Sequence, residues 1–238
     1  MKVLVFGGTT EGRLLARELS ALGAQVTVSV ATALGAEELR GVPPLTVCVG
    51  RKDARQMRKM LPGFAVCVDA THPYAAEASG NIRAACLAAG VPYRRLLRGA
   101  SALPPDSVVV PDAPAAARWL AGTQGNILLA TGAKELAAFA GLDAERLYPR
   151  VLPTHEGLAA CEAALQGPFT RELNEALMRR FDIGYLVTKD GGTPGGFGEK
   201  AQAARNVGAR LVVIRRPADS GEDYAAVLNE CREMMACR

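Results

Sequence analysis

The sequence predicts an α/β fold of two domains, each a parallel sheet with helices on both faces, separated by a cleft. Three observations carry this reading. Short runs rich in Val, Leu and Ile alternate with Ala/Leu-rich stretches of helical length, the signature of βαβ units. The alternation occurs twice, on either side of Gly99-Ala100-Ser101-Ala102-Leu103-Pro104-Pro105-Asp106, a small-residue and proline stretch suited to a linker. Several apolar runs end in glycine or Thr-Gly turns that open directly into helical stretches, as strands of open α/β sheets do.

In the first half the expected strands are Lys2 to Phe6, Gln25 to Val30, Leu45 to Val49, Ala65 to Val68 and Tyr93 to Leu97. Helices are expected from Thr10 to Leu22, Asp53 to Met60 and Tyr74 to Ala89, the last starting at Pro73 with Thr71 or His72 as its cap. In the second half, strands are expected at Ser107 to Val110, Ile127 to Ala130, Leu147 to Leu152, Gly184 to Thr188 and Arg210 to Ile214. Helices fall between them at Ala113 to Ala121, Lys134 to Ala140, Glu156 to Leu165, Thr170 to Phe181 and Phe197 to Val207. An amphipathic helix from Asp223 to Met235 closes the chain, and the boundaries follow as domains of residues 1–98 and 99–238.

Composition narrows the function. Lys and Arg outnumber Asp and Glu by 28 to 24, a mild excess that suits a polyanionic small molecule at least as well as nucleic acid. Aromatic residues are 5%, too few for a base-stacking surface, so no nucleic-acid partner is expected. No apolar run approaches the roughly 20 residues of a membrane helix, and the run before Gly7 is too short for a signal peptide and reads as a strand. Cysteines 48, 67, 86, 161, 231 and 237 form no C-x-x-C pair, so reduced thiols in a cytoplasmic protein are expected, and no metal site.

The most informative stretch is Val3-Leu4-Val5-Phe6-Gly7-Gly8-Thr9-Thr10-Glu11-Gly12. Strand, glycine turn and helix start make a phosphate site: glycine lets backbone approach a ligand, and the helix offers free N–H groups and its positive dipole end. Thr9 and Thr10 add hydroxyls that donate to a phosphate or cap the helix, and Gly12 lets the helix pack close to the strand. Gly7 and Gly12 keep the spacing of the first and last glycines of the dinucleotide fingerprint. This makes the first domain dinucleotide-binding, with Glu11 as a ribose or helix-start contact. The second strand carries Ser29 near its end and no acid to repel a 2′-phosphate, favouring NADPH over the alternative, NADH, with Arg51 and Lys52 as cationic partners.

The fourth strand ends in Asp69-Ala70-Thr71-His72-Pro73-Tyr74, polar groups where such sheets bind ligands, and His72 is one of two histidines. Leu129-Ala130-Thr131-Gly132-Ala133-Lys134 repeats the strand–turn–helix logic in the second half, and a Gly-rich loop after Thr188-Lys189-Asp190 leads to Glu199-Lys200. Lys134, Lys189 and Lys200 form a basic rim for a substrate with several carboxylates. His155 reads as a helix-start residue or a substrate contact. Tyr185 and Lys189 match the Y-x-x-x-K pair of short-chain dehydrogenases, but here they lie on an expected strand, where four residues span roughly 13 Å.

Five ordered blocks then match a known family: Gly7 to Gly12, Asp69 to Tyr74, Ala130 to Leu136, Gly167-Pro168-Phe169 with Glu172-Leu173-Asn174, and Thr188-Lys189-Asp190 with Gly195-Gly196 and Glu199-Lys200. Together they resemble the precorrin-6A reductases of cobalamin biosynthesis, including the cobalt-precorrin-6A branch. The resemblance implies two Rossmann-like domains, a nicotinamide cofactor on the first, a tetrapyrrole polycarboxylate in the cleft, and hydride transfer to one C=C bond followed by protonation. It implies cofactor contacts from Gly7, Gly8, Thr9, Thr10, Glu11, Gly12, Ser29, Arg51, Asp69 and Thr71. Substrate contacts fall to His72, Tyr74, Thr131, Lys134, Thr188, Lys189 and Lys200, with His72, Lys200 or water as proton donor. A nucleotide-sugar reductase or epimerase would need a helical Tyr/Lys pair. A non-catalytic NADPH sensor would leave the lysine-bearing loop without a purpose. The oligomeric state and the presence of cobalt in the substrate stay open.

Overall fold

The computed structural model describes residues 1–41, 44–151, 163–164, 169–192 and 195–237. The chain divides into two compact units, Met1–Gly99 with Pro217–Arg238, and Ala100–Arg216.

Unit 1 begins with β1 (Lys2–Phe6) and α1 (Thr10–Ala21), followed by β2 (Gln25–Val30), α2 (Ala33–Glu37), β3 (Leu45–Val49), α3 (Ala54–Met60), β4 (Val66–Asp69), α4 (Ala76–Ala89) and β5 (Tyr93–Arg95). The five strands are parallel, in the order β3-β2-β1-β4-β5. The chain switches sides at β1, so the carboxyl ends of β1, β2 and β4 frame the switch point where such sheets bind ligands. Alternation along the strands feeds two cores. Val3, Val5, Val26, Val28 and Val30 pack with Leu15 and Leu19 on one face, and Leu4, Phe6 and Cys67 pack with Met57, Ile82 and Cys86 on the other. Burial on both faces explains the unbroken apolar run of β1.

Local chemistry sets the helix ends. Asp53 and Gln56 form a reciprocal capping box at α3, with bonds of 2.7 and 2.9 Å. Thr32 caps the short α2, which the sequence reading did not expect. The expected Pro73 start of α4 is corrected: the Ala75 N–H donates to the His72 carbonyl at 2.8 Å, a turn intervenes, and neither Thr71 nor His72 caps the helix.

Unit 2 contains β6 (Val108–Val110), α5 (Ala113–Ala121), β7 (Asn126–Ala130), β8 (Leu147–Val151), β9 (Ala163–Ala164), α6 (Arg171–Arg180), β10 (Ile183–Lys189), α7 (Phe197–Val207) and β11 (Arg210–Ile214). The parallel sheet runs β6-β11-β10-β7-β8-β9. The stretch expected as a helix at Lys134 to Ala140 is a 3-10 helix, Ala133–Phe139, after Gly132 at φ 88°. Of the helix expected at Glu156 to Leu165, the described pair Ala163–Ala164 is instead a strand beside Arg150 and Val151, where edge pairing overrides alanine's helix preference. His155, Gly167, Pro168, Thr193 and Pro194 lie outside the described residues.

The last helix, α8 (Tyr224–Ala236), belongs to unit 1 and corrects the expected 99–238 boundary. Val227, Leu228 and Cys231 are buried with Leu15, Ala16 and Leu19, and Tyr224 donates to Glu18 of α1 at 2.7 Å. Among the described residues no helix is long and apolar enough to cross a membrane. Because Leu228 is buried against α1, Leu228→Ala is expected to cost about 2–5 kcal/mol. Denaturant unfolding measures the loss, and hydrogen exchange should show faster exchange of the α1 amides.

Candidate functional site

The Gly7–Gly12 turn stands at the carboxyl end of β1. The Gly7 N–H donates to the Ser29 carbonyl at 2.8 Å, and a Cβ on Gly7 would meet Val28 and Val30 at 3.1 and 3.3 Å. Gly8 takes φ 145°, which favours glycine. A Cβ on Gly12 would lie 2.7 Å from the Ala70 Cβ, so α1 seats against the end of β4 only with glycine there. The Thr9 hydroxyl is occupied: it donates to the Ala70 carbonyl at 3.0 Å and accepts from the Gly12 N–H at 3.1 Å. Thr9 therefore caps the helix and clips it to β4, and its side chain is not a phosphate donor. The Thr10 and Glu11 N–H groups have no acceptor among the described residues and remain at the positive end of α1. The Glu11 carboxylate is held by Arg98 at 2.8 Å, so it is not poised for a ribose.

Beside the turn is a cavity of about 190 Å³ lined by Gly7, Gly8, Val28, Val30, Thr32 and Leu39, with Arg13 and Glu38 also on its wall. Its apolar lining beside a glycine turn fits the purine and phosphate ends of a dinucleotide. Arg13 and Glu38 form an ion pair, and Arg13 also donates to Thr10 at 3.1 Å. Two expectations change here. Ser29 is buried and absent from the cavity wall, because strand alternation puts Val28 and Val30 on that face and Ser29 on the other. Arg51 is exposed and does not line the cavity, and Lys52 folds back onto the Val49 and Gly50 carbonyls at 3.2 and 3.0 Å. Sequence reasoning missed Arg13, because α1 was read for its caps and glycines, and missed Glu38, because no element was expected between β2 and β3.

At the end of β4, Asp69 is fully buried, which removes it from the cofactor contacts. Its carboxylate accepts from the Thr71 N–H at 3.0 Å, the Thr71 hydroxyl at 2.7 Å, Arg95 at 3.2 Å and the Tyr93 hydroxyl at 2.9 Å. Burial and the Asp69 charge push the Tyr93 hydroxyl up. The Thr71 hydroxyl lies 3.1 Å from Ser79 and is likewise engaged. His72 Nδ1 accepts from the Tyr74 N–H at 3.3 Å, which puts the proton of the neutral ring on Nε2, and the two rings lie 5.6 Å apart. Backbone joins this loop to the turn: a Cβ on Gly8 would sit 3.9 Å from the His72 nitrogen.

In unit 2, Lys200 is buried on α7 and donates to Thr188 at 2.8 Å. Desolvation, with the neighbouring Arg150 charge, pushes its ammonium down to about 8, against the smaller raising effects of Glu199 and Asp190. Arg150 is also buried, donates to Asn174 at 2.7 Å, and is pushed down to about 10 by burial. Lys189 is paired with Glu135 at 2.7 Å, Lys134 is exposed, and the Thr131 hydroxyl is buried with no hydrogen-bond partner among the described residues. Tyr185 and Lys189 both lie on β10, not on a helix. Arg150 and Asn174 were missed as site residues, although a charged residue inside a strand-like run is itself a signal. Among the described residues no group of His, Cys, Asp and Glu is arranged to hold a metal.

Fold and turn together define a class: two Rossmann-like units of parallel α/β structure, with a dinucleotide-type glycine turn at the first unit's switch point. The chain belongs to the family described as precorrin-6x reductase CbiJ/CobK, whose model matches residues 2–236. It is 33% identical to a cobalt-precorrin-6A reductase of Priestia megaterium, over 90% of each chain. It is 36% identical to the cobalt-precorrin-6A reductase of Salmonella typhimurium over 90% of this chain and 87% of that one. A precorrin-6A reductase of Rhodobacter capsulatus is 32% identical, with 95% and 92% covered. A solved structure of CobK precorrin-6A reductase superposes with a TM-score of 0.80 at 28% identity, covering 98% of this chain and 97% of that one.

The depressed Lys200 pKa gives a signed prediction. Unfolded lysine titrates near its ordinary value of about 10.4, so between there and about 8 the unfolded chain binds more protons and stability rises with pH. Lys200→Met is expected to be more stable than the native chain near pH 7, with the difference shrinking as pH climbs through that window. Thermal denaturation of both chains across pH 7–10 tests it. Arg150, Glu199 and Asp190 bear on Lys200 in the folded chain, so their effects belong to the same comparison.

Proposed function

We propose that this chain reduces one C=C bond of a precorrin-6A-type corrinoid, with or without cobalt, to the 6B form in cobalamin biosynthesis, in the cytoplasm. The observation that carries this is membership of a reductase family over residues 2–236, together with the glycine turn and its adjoining cavity. The activity class is that of an oxidoreductase acting on a CH–CH group with a nicotinamide cofactor, and NADPH is the form we favour. When bound, that cofactor supplies the hydride. Unit 1 serves the cofactor and unit 2 the substrate. Turnover of reduced nicotinamide by the purified chain with precorrin-6A and with cobalt-precorrin-6A is the test; no oxidation with either removes the reading.

The chain's own residues would do the following. The Gly7 and Gly8 backbone and the Thr10 and Glu11 N–H groups hold phosphate oxygens, while Gly12 keeps α1 close to β4. Arg13 takes a 2′-phosphate, and Glu38 keeps its guanidinium at the cavity wall. Asp69 and Thr71 shape the loop that carries His72 and Tyr74. Lys200 with Thr188 holds substrate carboxylate, assisted by Thr131, Lys134 and Lys189. His72, rather than Lys200, delivers the proton, since the Lys200 charge is kept to hold the substrate carboxylate beside Thr188.

Two variants test these roles. Arg13→Gln should raise the KM for NADPH about 10- to 100-fold, the worth of a charge-assisted phosphate contact, and leave the KM for NADH nearly unchanged. His72→Gln should lower kcat by about 10²- to 10⁴-fold and flatten its pH profile while NADPH affinity stays native. Full turnover with an unchanged profile would exclude His72 as the acid.

A further inference from the structure

Unit 2 holds two cations out of water without a carboxylate partner. Arg150 and Lys200 are each 8% exposed. Among the described residues, neither makes an ion pair: Arg150 donates to the Asn174 amide oxygen and Lys200 to the Thr188 hydroxyl, both neutral acceptors. Glu199 and Asp190 act on Lys200 only at a distance, with no ion pair to it among the described residues. Asp190 faces Arg216 at 3.6 Å and accepts from the Ser101 and Gly192 N–H groups. An unpaired buried charge destabilises the fold, and a second of the same sign adds to that.

The sheet register places the two cations together. Pro149 of β8 pairs with Leu129 of β7, so Arg150 follows at the level of Ala130, and Ala130 pairs with Thr188 of β10, the residue that holds Lys200. Three adjacent strands thus bring both cations to the carboxyl end of the sheet, with the small Ala130 on the strand between them. The Arg150 guanidinium is fixed edge and face: Asn174 takes one nitrogen, and the Phe169 ring lies 4.1 Å below the central carbon. Asn174 is itself fully buried and anchored to the Phe169 and Thr170 carbonyls at 3.3 and 2.7 Å. A planar fork held this rigidly suits a planar, bidentate anion.

We propose that Arg150 and Lys200 form one carboxylate clamp at the carboxyl end of the unit 2 sheet, occupied in the working enzyme by an acetate or propionate arm of the corrinoid. The owner of that carboxylate rests on the reductase reading; the clamp itself does not. The corrinoid is thereby gripped at one defined arm, and Arg150 joins the substrate-specificity residues.

The test is thermal unfolding of the full chain at constant ionic strength, with sodium acetate, inorganic phosphate or sodium chloride. Acetate should raise the Tm saturably and beyond chloride, and the gain should vanish in both Lys200→Met and Arg150→Met. Lys200→Met keeps the test open where Arg150→Met fails to fold. No gain over chloride, or an equal gain in Lys200→Met, overturns the clamp; half-saturation by phosphate at a tenfold lower concentration than acetate overturns its assignment to carboxylate. In turnover, Arg150→Lys should raise the corrinoid KM about tenfold and leave NADPH affinity native. An acetate effect in a chain that oxidises no reduced nicotinamide supports the clamp and removes its corrinoid owner.

Discussion

The ion pair between Asp69 and Arg95 is the constraint on which unit 1 turns. Both side chains are out of water, and every oxygen and nitrogen they use is spent within the fold. Beyond the Asp69 carboxylate, Arg95 donates to the Asp69 and Thr71 carbonyls, each at 3.0 Å, and to Asp219 at 2.7 Å. One guanidinium therefore ties the end of β4, the loop after it and the returning C-terminal segment. Removing either partner would strand a buried charge, at a cost of about 3–5 kcal/mol. The return is tight: a Cβ on Gly221 would lie 2.4 Å from the Arg95 carbonyl oxygen, so only glycine lets the segment pair with β5. Through the Thr9–Ala70 bond the same loop is joined to the glycine turn.

Unit 2 treats buried cations in the opposite way. Arg95 has two carboxylates, whereas Arg150 and Lys200 have an amide and a hydroxyl between them. A fully compensated guanidinium is a structural member that gains nothing from a ligand. An uncompensated pair is held in place at the expense of stability and is relieved only by an incoming anion. The contrast separates a positioning residue from a binding residue without reference to where either lies in the sequence.

Much of this architecture was legible. β1, β2, β3, β11, α5 and α7 begin and end where hydrophobic period and turn chemistry put them, β1 and β11 as apolar runs buried on both faces and β2 by its alternation of Val with Thr and Ser. The burial of Lys200 was also legible in principle: with Phe197, Ala201 and Ala204 it falls on the buried stripe of α7. Ser29 was open to correction by parity, since its neighbours Val28 and Val30 occupy the inner face. What could not be read was partnership. Asp69 stands where ligand-binding acids stand, and the arginine that turns it inward comes from another strand with no local signal. α8 carries an apolar stripe that fits any uncovered sheet face, and its home with α1 is a tertiary choice that chain order does not encode.

The state of Lys200 bears on how the three candidate proton sources, His72, Lys200 and water, divide the work. An ammonium pushed down to about 8 gives up its proton more readily than an ordinary lysine, which by itself would recommend it as an acid. A carboxylate arriving between Lys200 and Arg150 reverses this, because the opposite charge favours the protonated form and offsets the repulsion from Arg150. Substrate binding above pH 8 would then draw a proton onto Lys200 and hold it there, so affinity falls as pH rises while the lysine becomes a poorer donor once loaded. The group that must surrender a proton during reduction cannot be the one whose proton the substrate has just secured. Under the proposed clamp, charge compensation in unit 2 therefore argues against Lys200 as the donor and leaves the role to His72 or water.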